Sequence, residues 1–469
     1  MNLFGAGRPD HPMADRKQAQ RILEALPPQE LKALEELGNW HESVAAAEGF
    51  KPEERAQLLA LIDEAAQPRL KKLGRDYLGA ARVQQNLMWL RIHDYWHHAA
   101  QSWLRALEPK PLAEVAVAAL RALGQQLKWQ QLRYGPVDLA VWGNMNRAYG
   151  VAEALNAAAA KPEFLKAALF SASAMDSRLP PEIDLAERLI ETFAPAFVIE
   201  KAAAAELPYW TDLARPMAPA RSKQPPQPGA GLRFLGPGTA LAKLKDLISK
   251  VERHFETPAE LKLGAVDADM LLVVMRHLAA HWSPVPPERR HKRMNVSSSL
   301  KITHGFDGVV EALGGASDSL DFGGGGVKSE SWTVENVSAG GFGARAQAKS
   351  EWLKVGALVA AWPEGAPGWM VGTVRRVNKV SQQEMRVGVE TLSRAPALSQ
   401  FARRAGEAQG VLLPDTSGQT SIALRAGVYE RGENLEATIE GRQHVYMPQG
   451  TAERGEDYEI VRFREMVRE

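Results

Sequence analysis

The chain has 469 residues, length enough for about three domains, and its 57 Lys+Arg against 56 Asp+Glu leave a formal net charge of +1. That balance excludes a global field that would gather nucleic acid or an anionic membrane, so any anion site must be local. The absence of cysteine excludes a disulfide framework, a thiol nucleophile and a cysteine zinc site.

No stretch reaches the uncharged apolar length of a membrane span, and the start, MNLFGAGRPDHPMADRKQ, lacks a signal-peptide core. A cytoplasmic protein with no membrane span is expected. From about residue 19 to 204 the pattern is helical. RILEALPPQELKALEELGNWHESVAAA and PEERAQLLALIDEAAQPRLKKLGRDYL space their leucines at helical intervals with charges opposite. The aromatic LGAARVQQNLMWLRIHDYWHHAAQSWLRAL follows, and the later segments often open on proline, which suits a first helical turn. Trp89, Tyr95, Trp96, Trp103, Trp129 and Trp142 read as core. No strand pattern precedes residue 215, so the helical module, 1–214, is expected to be all-α.

Residues 215–231 carry five prolines and read as a linker. A helical connector spans 232–285: LRFLG as a short strand, TALAKLKDLISKVERHFE as an amphipathic helix, and VDADMLLVVMRHLAAHW as a buried helix capped by Asp267 or Asp269.

Then comes PPERRHKRMNVSSSLKI. Two prolines disfavour helix, so Arg289, Arg290 and Arg293 sit on an extended lead-in to a strand. A guanidinium fork matches phosphate oxygens or the O6/N7 edge of guanine. Further on, WTVENVSAGGFGA offers an amide at Asn336, a hydroxyl at Ser338, and close backbone approach at Gly340 and Gly341. Between them, 303–331 reads as a loop or disordered insertion. WLKVGALVAAW, GWMVGTVRRVNKV and MRVGVETLS continue as strands. SQFARRAGEAQ reads as a connector or short helix. The strand-like QTSIALRAG, LEATIEG, RQHVYMP and DYEIVRFREMV form a small β unit, 405–469, or extra strands of the barrel.

The pair of motifs, RxxxR at Arg289 and Arg293 and NxSxxG at Asn336, Ser338 and Gly341, resembles the PilZ family of cyclic di-GMP receptors over about 286–395. The resemblance implies a multidomain α+β protein: an all-α helical module, a PilZ-like antiparallel β-barrel and a small C-terminal β unit. It implies cyclic di-GMP as ligand, held by Arg289, Arg293, Asn336, Ser338 and Gly341, with Arg290 and Gly340 secondary. It implies no enzymatic activity, no cofactor, a protein partner through the helical module, and a role in motility, biofilm, pili or secretion. The long interval between the motifs departs from the family and questions how the first strands pair.

Two other readings stay open. One is an interaction scaffold whose barrel does not bind nucleotide. The other is a barrel-regulated enzyme with a metal held by His93 and His97 or His277 and His281, four apart on helix faces. Neither histidine pair brings an HExxH-type carboxylate, so no metal site is expected. His93-Asp94 lacks the further spaced residues of a phosphohydrolase, and the glycines at 323–326 lack the lysine and helix of a phosphate loop.

Overall fold

The computed structural model describes residues 9–221, 226–227, 229–285, 291–315, 329–348, 350, 352–414 and 420–468. The chain divides into two compact units, Met1–Met175 with Pro180–Pro287, and Glu288–Glu469 with the short segment Asp176–Leu179.

The first unit begins as helices: α1 (Arg16–Glu24), α2 (Glu30–Ala46), α3 (Pro52–Gly79), α4 (Arg82–Ala106), α5 (Ala113–Gln131), α6 (Leu139–Ala154), α7 (Ala160–Ala172) and α8 (Pro180–Phe193). The Asp15 carboxylate caps α1 by accepting from the Lys17 and Gln18 amides. Apolar stripes make the core: Leu34, Leu37, Leu59, Ile62, Ile92, Tyr95, Leu120 and Leu123 are all buried. Trp96, Trp103, Trp129 and Trp142 join them, as expected of core residues, whereas Trp89 is half-buried and stacks on His93.

A polar hub sits inside this packing. Asp63 accepts from Tyr95 Oη at 2.6 Å and Trp103 Nε1 at 2.9 Å, and lies 3.0 Å from His41 Nε2. Burial alone would raise the Asp63 carboxyl, but donation from His41, Tyr95 and Trp103 outweighs it and holds the group below its ordinary value.

The all-helical expectation gives way near residue 198. A four-stranded sheet, ordered β1-β4-β2-β3, is built from β1 (Val198–Glu200), β2 (Tyr209–Asp212), β3 (Ala220–Arg221) and β4 (Leu232–Gly236). The first two strands are too short to leave a periodic signal, and pairing with the distant β4 creates them. The first part of the stretch expected to be a linker, 215–221, is also tied down. Arg221 Nη2 donates to Ser283 O at 2.8 Å, and Asn146 Nδ2 donates to Arg215 O at 2.8 Å and Met217 O at 3.1 Å. Tertiary partners thus hold residues 215–221, which composition alone marks as loose. Arg233, 5% exposed, forks onto Glu153. Helices α9 (Ala240–His254) and α10 (Ala268–Trp282) close the unit, and Asp267 is the α10 cap, accepting from Met270 N at 2.9 Å.

The second unit holds two closed barrels. The first is ordered β10-β7-β6-β5-β8-β9, from β5 (Met294–His304), β6 (Glu330–Ser338), β7 (Gly341–Gln347), β8 (Leu358–Pro363), β9 (Met370–Lys379) and β10 (Glu384–Ser393). Strand β5 pairs antiparallel with both β6 and β8 despite the long interval after it. Part of that interval is not loop: Gly305–Gly314 forms α11, burying Phe306, Val309 and Ala312, while 316–328 lie outside the described residues. The FDGVVEAL periodicity is that of an amphipathic helix, and the flanking glycines obscured it.

The C-terminal β unit is a second barrel, ordered β11-β12-β13-β16-β15-β14, and it starts earlier than expected. The supposed connector is the hairpin of β11 (Ala397–Arg403) and β12 (Gly406–Pro414), with Phe401 fully buried. It is followed by β13 (Thr420–Arg425), β14 (Leu435–Ile439), β15 (Arg442–Arg454) and β16 (Tyr458–Arg468). Phe306 and Val309 of α11, Leu358 and Val371 of the first barrel, and Val411, Leu413 and Ile460 of the second form one apolar cluster. Arg375 of β9 forks onto Glu453 of β15 at 2.8 and 2.6 Å, and Tyr458 Oη donates to Gly356 O at 2.9 Å. The protein is therefore a multidomain α+β chain, with a helical region followed by antiparallel barrels.

Candidate functional site

The site grows from strand register. Met294 pairs with Val337 and Asn295 with Asn336, and Arg293 and Ser338 are the next residues of the two segments beyond that pair. The basic lead-in therefore arrives at the β6–β7 turn, although the two motifs stand far apart in sequence. Contact at this junction is direct: a Cβ built on Gly340 would lie 2.8 Å from the His291 ring. Arg293 is exposed and has no ion-pair partner among the described residues. Arg289 and Arg290 lie outside the described residues.

The turn itself is tightly made. Ser338 pairs with Gly341, and Ser338 Oγ donates to Gly341 O at 3.2 Å. Gly341 has φ +153°, and a Cβ there would stand 2.0 Å from Val389 O of β10. Only glycine lets β7 lie this close to β10. Thr391 N donates to Gly340 O at 3.0 Å and ties the turn to the same strand.

Asn336 occupies an irregular point. The β6–β7 register shifts between Val334 and Asn336, and the β5–β6 register shifts between Asn295 and Ser298. Such bulges break alternation and re-aim a side chain. The Asn336 amide lies over Gly343, where a Cβ would be 2.8 Å from Nδ2 and 2.9 Å from Oδ1. Its Oδ1 is buried and bonded to nothing among the described residues. A buried orphan acceptor beside an exposed guanidinium suits a ligand that offers both N–H donors and anionic or carbonyl oxygens.

Three residues escaped the motif. Gly343 makes room for the Asn336 amide, and the repeated glycines of GGFGA were the only hint of it. His291 was visible only as a member of the basic run. Arg394, just past β10, sends Nη2 to Ser338 O at 3.4 Å and Ala339 O at 3.3 Å. Nothing in its local sequence marks Arg394, because strand pairing alone brings it to the turn.

The histidine pairs are engaged elsewhere. His97 Nδ1 lies 3.2 Å from Gln126 Nε2, and His277 Nε2 lies 2.5 Å from Ser173 O. Among the described residues no group of three or more His, Asp or Glu side chains gathers as a metal site. Among them, too, no helix is long and apolar enough to cross a membrane.

No curated protein matches this sequence. Residues 17–204, within the helical region, match the family described as the cyclic-di-GMP receptor FimW, N-terminal domain.

Proposed function

We propose that this chain is a cyclic di-GMP receptor whose first barrel binds the nucleotide where the basic lead-in meets the β6–β7 turn. The observation that supports the proposal is the Met294–Val337 pairing, immediately before which stands Arg293 and immediately after which stands Ser338, together with the His291 ring beside Gly340. In this reading Arg289 and Arg293 fork onto guanine O6/N7 edges and phosphates. The orphan Asn336 Oδ1 accepts from a guanine N–H, Ser338 holds the turn, and Gly341 lets the backbone approach. Arg290 and Gly340 are secondary, and Arg394 adds a further cation. The FimW match supports the same ligand from an independent stretch of the chain.

The same family description, a receptor, favours a non-enzymatic role. Binding would close the arginine lead-in onto the ligand and so signal to the helical region and its protein partner. Control of motility, biofilm, pili or secretion is the process this implies. Calorimetric titration with cyclic di-GMP tests the proposal, with GTP and cyclic GMP as controls. Saturable heat for cyclic di-GMP alone, lost in Arg293→Ala, is expected. Its absence in the wild type would leave the scaffold reading.

A further inference from the structure

The helical unit carries a cleft of about 490 Å³ between α2, α4 and α6. Glu42, His97, His98, Ser102, Arg105 and Arg147 are among its lining residues. Its charges are unequally partnered. Arg147 Nη1 reaches Glu108 at 3.2 Å and His98 Nδ1 lies 3.8 Å from Glu42, so both carboxylates of the cleft are engaged. Arg105, in the last turn of α4, has no ion-pair partner among the described residues. A second cation stands near it. The Arg55 guanidinium is lowered from its ordinary pKa by burial first and by the charge of Arg105 second. Arg55 Nη2 donates to Ala47 O at 2.6 Å, while its Nε is buried and bonded to nothing among the described residues.

Like guanidinium charges repel, and an oxyanion bound at Arg105 would turn that repulsion into attraction. The neutral lining is also incomplete. Ser102 is 1% exposed, yet its Oγ has no partner among the described residues. Outside the lining itself, Gln126 bonds its Nε2 to the lining residue His97, while its own Oε1 is buried and unpartnered among the described residues. Buried polar atoms are nearly always bonded, so orphans beside an open cleft mark a place where a ligand supplies the bonds. The volume lies within the roughly 300–1,000 Å³ range of small-molecule pockets and exceeds the needs of one oxyanion.

We propose that this cleft binds a small molecule carrying a phosphate or carboxylate group, with Arg105 holding the anion. Ser102, Gln101 and Asn144 hydrogen-bond the rest of it. The cleft is built from residues of the first unit alone, and no residue of the β6–β7 turn lines it. The test titrates pyrophosphate and citrate, at matched ionic strength, into full-length protein carrying Arg293→Ala, which removes one barrel arginine from the measurement. Calorimetry and thermal shift are the readouts. Saturable binding of either probe is expected, and which one binds distinguishes phosphate from carboxylate. Adding Arg105→Ala should weaken it at least about tenfold, and Arg105→Lys should keep part of it, because an ammonium keeps the charge and loses the fork. Arg105 is exposed, so the variant should fold. Arg105→Ala alone should leave cyclic di-GMP binding unchanged. The proposal is overturned if neither probe gives saturable heat, if sodium chloride at the same ionic strength gives an equal thermal shift, or if Arg105→Ala binds as before.

Discussion

Gly341→Ala should damage the barrel out of proportion to one methyl group. The added Cβ would stand 2.0 Å from Val389 O, 3.0 Å from Val389 C and 3.1 Å from Glu390 Cα, all backbone atoms of β10. Strand β10 cannot step aside cheaply, since Glu390 is paired with Gly341 on one side and with Thr373 of β9 on the other. Reaching ordinary contact near 3.4 Å would part β7 from β10 by about 1.4 Å, enough to break the local ladder bonds. Those bonds contribute about 1 kcal/mol each, overpacking adds about 1–3 kcal/mol, and a glycine-only backbone conformation adds a similar amount. Partial relaxation shares these terms, so we expect a loss of about 3–5 kcal/mol. Gly340→Ala is the matched control. The three nearest atoms to its Cβ all belong to the His291 side chain, from 2.8 Å, which is exposed and can rotate away, so the cost should stay under about 1 kcal/mol. Hydrogen exchange of the full chain reads the difference strand by strand. Gly341→Ala should accelerate exchange in β7 and β10 and leave α2–α7 unchanged, with cyclic di-GMP binding lost. If β7 and β10 exchange at the wild-type rate in Gly341→Ala, the close approach of the two strands is not what makes this position glycine.

Arg293→Ala should weaken cyclic di-GMP binding about ten- to a hundredfold, from a bidentate contact of about 1–3 kcal/mol, and Arg293→Lys should recover little. Calorimetry checks both, and thermal melts should match wild type because the side chain is exposed. Gly343→Ala should also impair binding, by displacing the Asn336 amide while every ligand-facing group remains, and titration of that variant against Asn336→Ala would compare the two losses. Asp63→Asn should cost about 1.5–3 kcal/mol in urea denaturation, since an amide cannot satisfy three donors as the carboxylate does. The folded Asp63 titrates below its ordinary 3.8, so its stabilisation is full above that value and is lost as pH falls through the lower folded one. Acid melts should therefore show wild type losing its advantage over Asp63→Asn only below about pH 4. Deleting the second barrel, residues 397–468, should leave the first insoluble or molten, because Val411, Leu413 and Ile460 complete a cluster with Leu358 and Val371. A well-dispersed NMR spectrum from 288–395 alone would refute that.

Much of this protein is decided locally. Helical spacing of leucines, an aspartate before Ala268, and alternating strands after Met294 specify elements through periods of 3.6 and 2, which need no tertiary information. The β6–β7 turn was legible for the same reason, since Asn336, Ser338 and Gly341 are clustered and glycine is demanded by the backbone. What the sequence could not disclose depends on pairing between distant segments. β1 and β2 are strands only because β4 lies between them. Residues 215–221 look like linker until Asn146 and Ser283 supply partners for that backbone and for Arg221. A short amphipathic helix, α11, hides among glycines until two barrels offer it an apolar cleft. Closure of 397–468 into a second barrel is completed where β11 meets β14, in register at Ala402 and Glu436, a long-range pairing that no local pattern encodes. The same limit applies to the site. Arg394, His291 and Gly343 reach the turn through strand register, a long-range choice made by the free energy of burying both barrels' interiors.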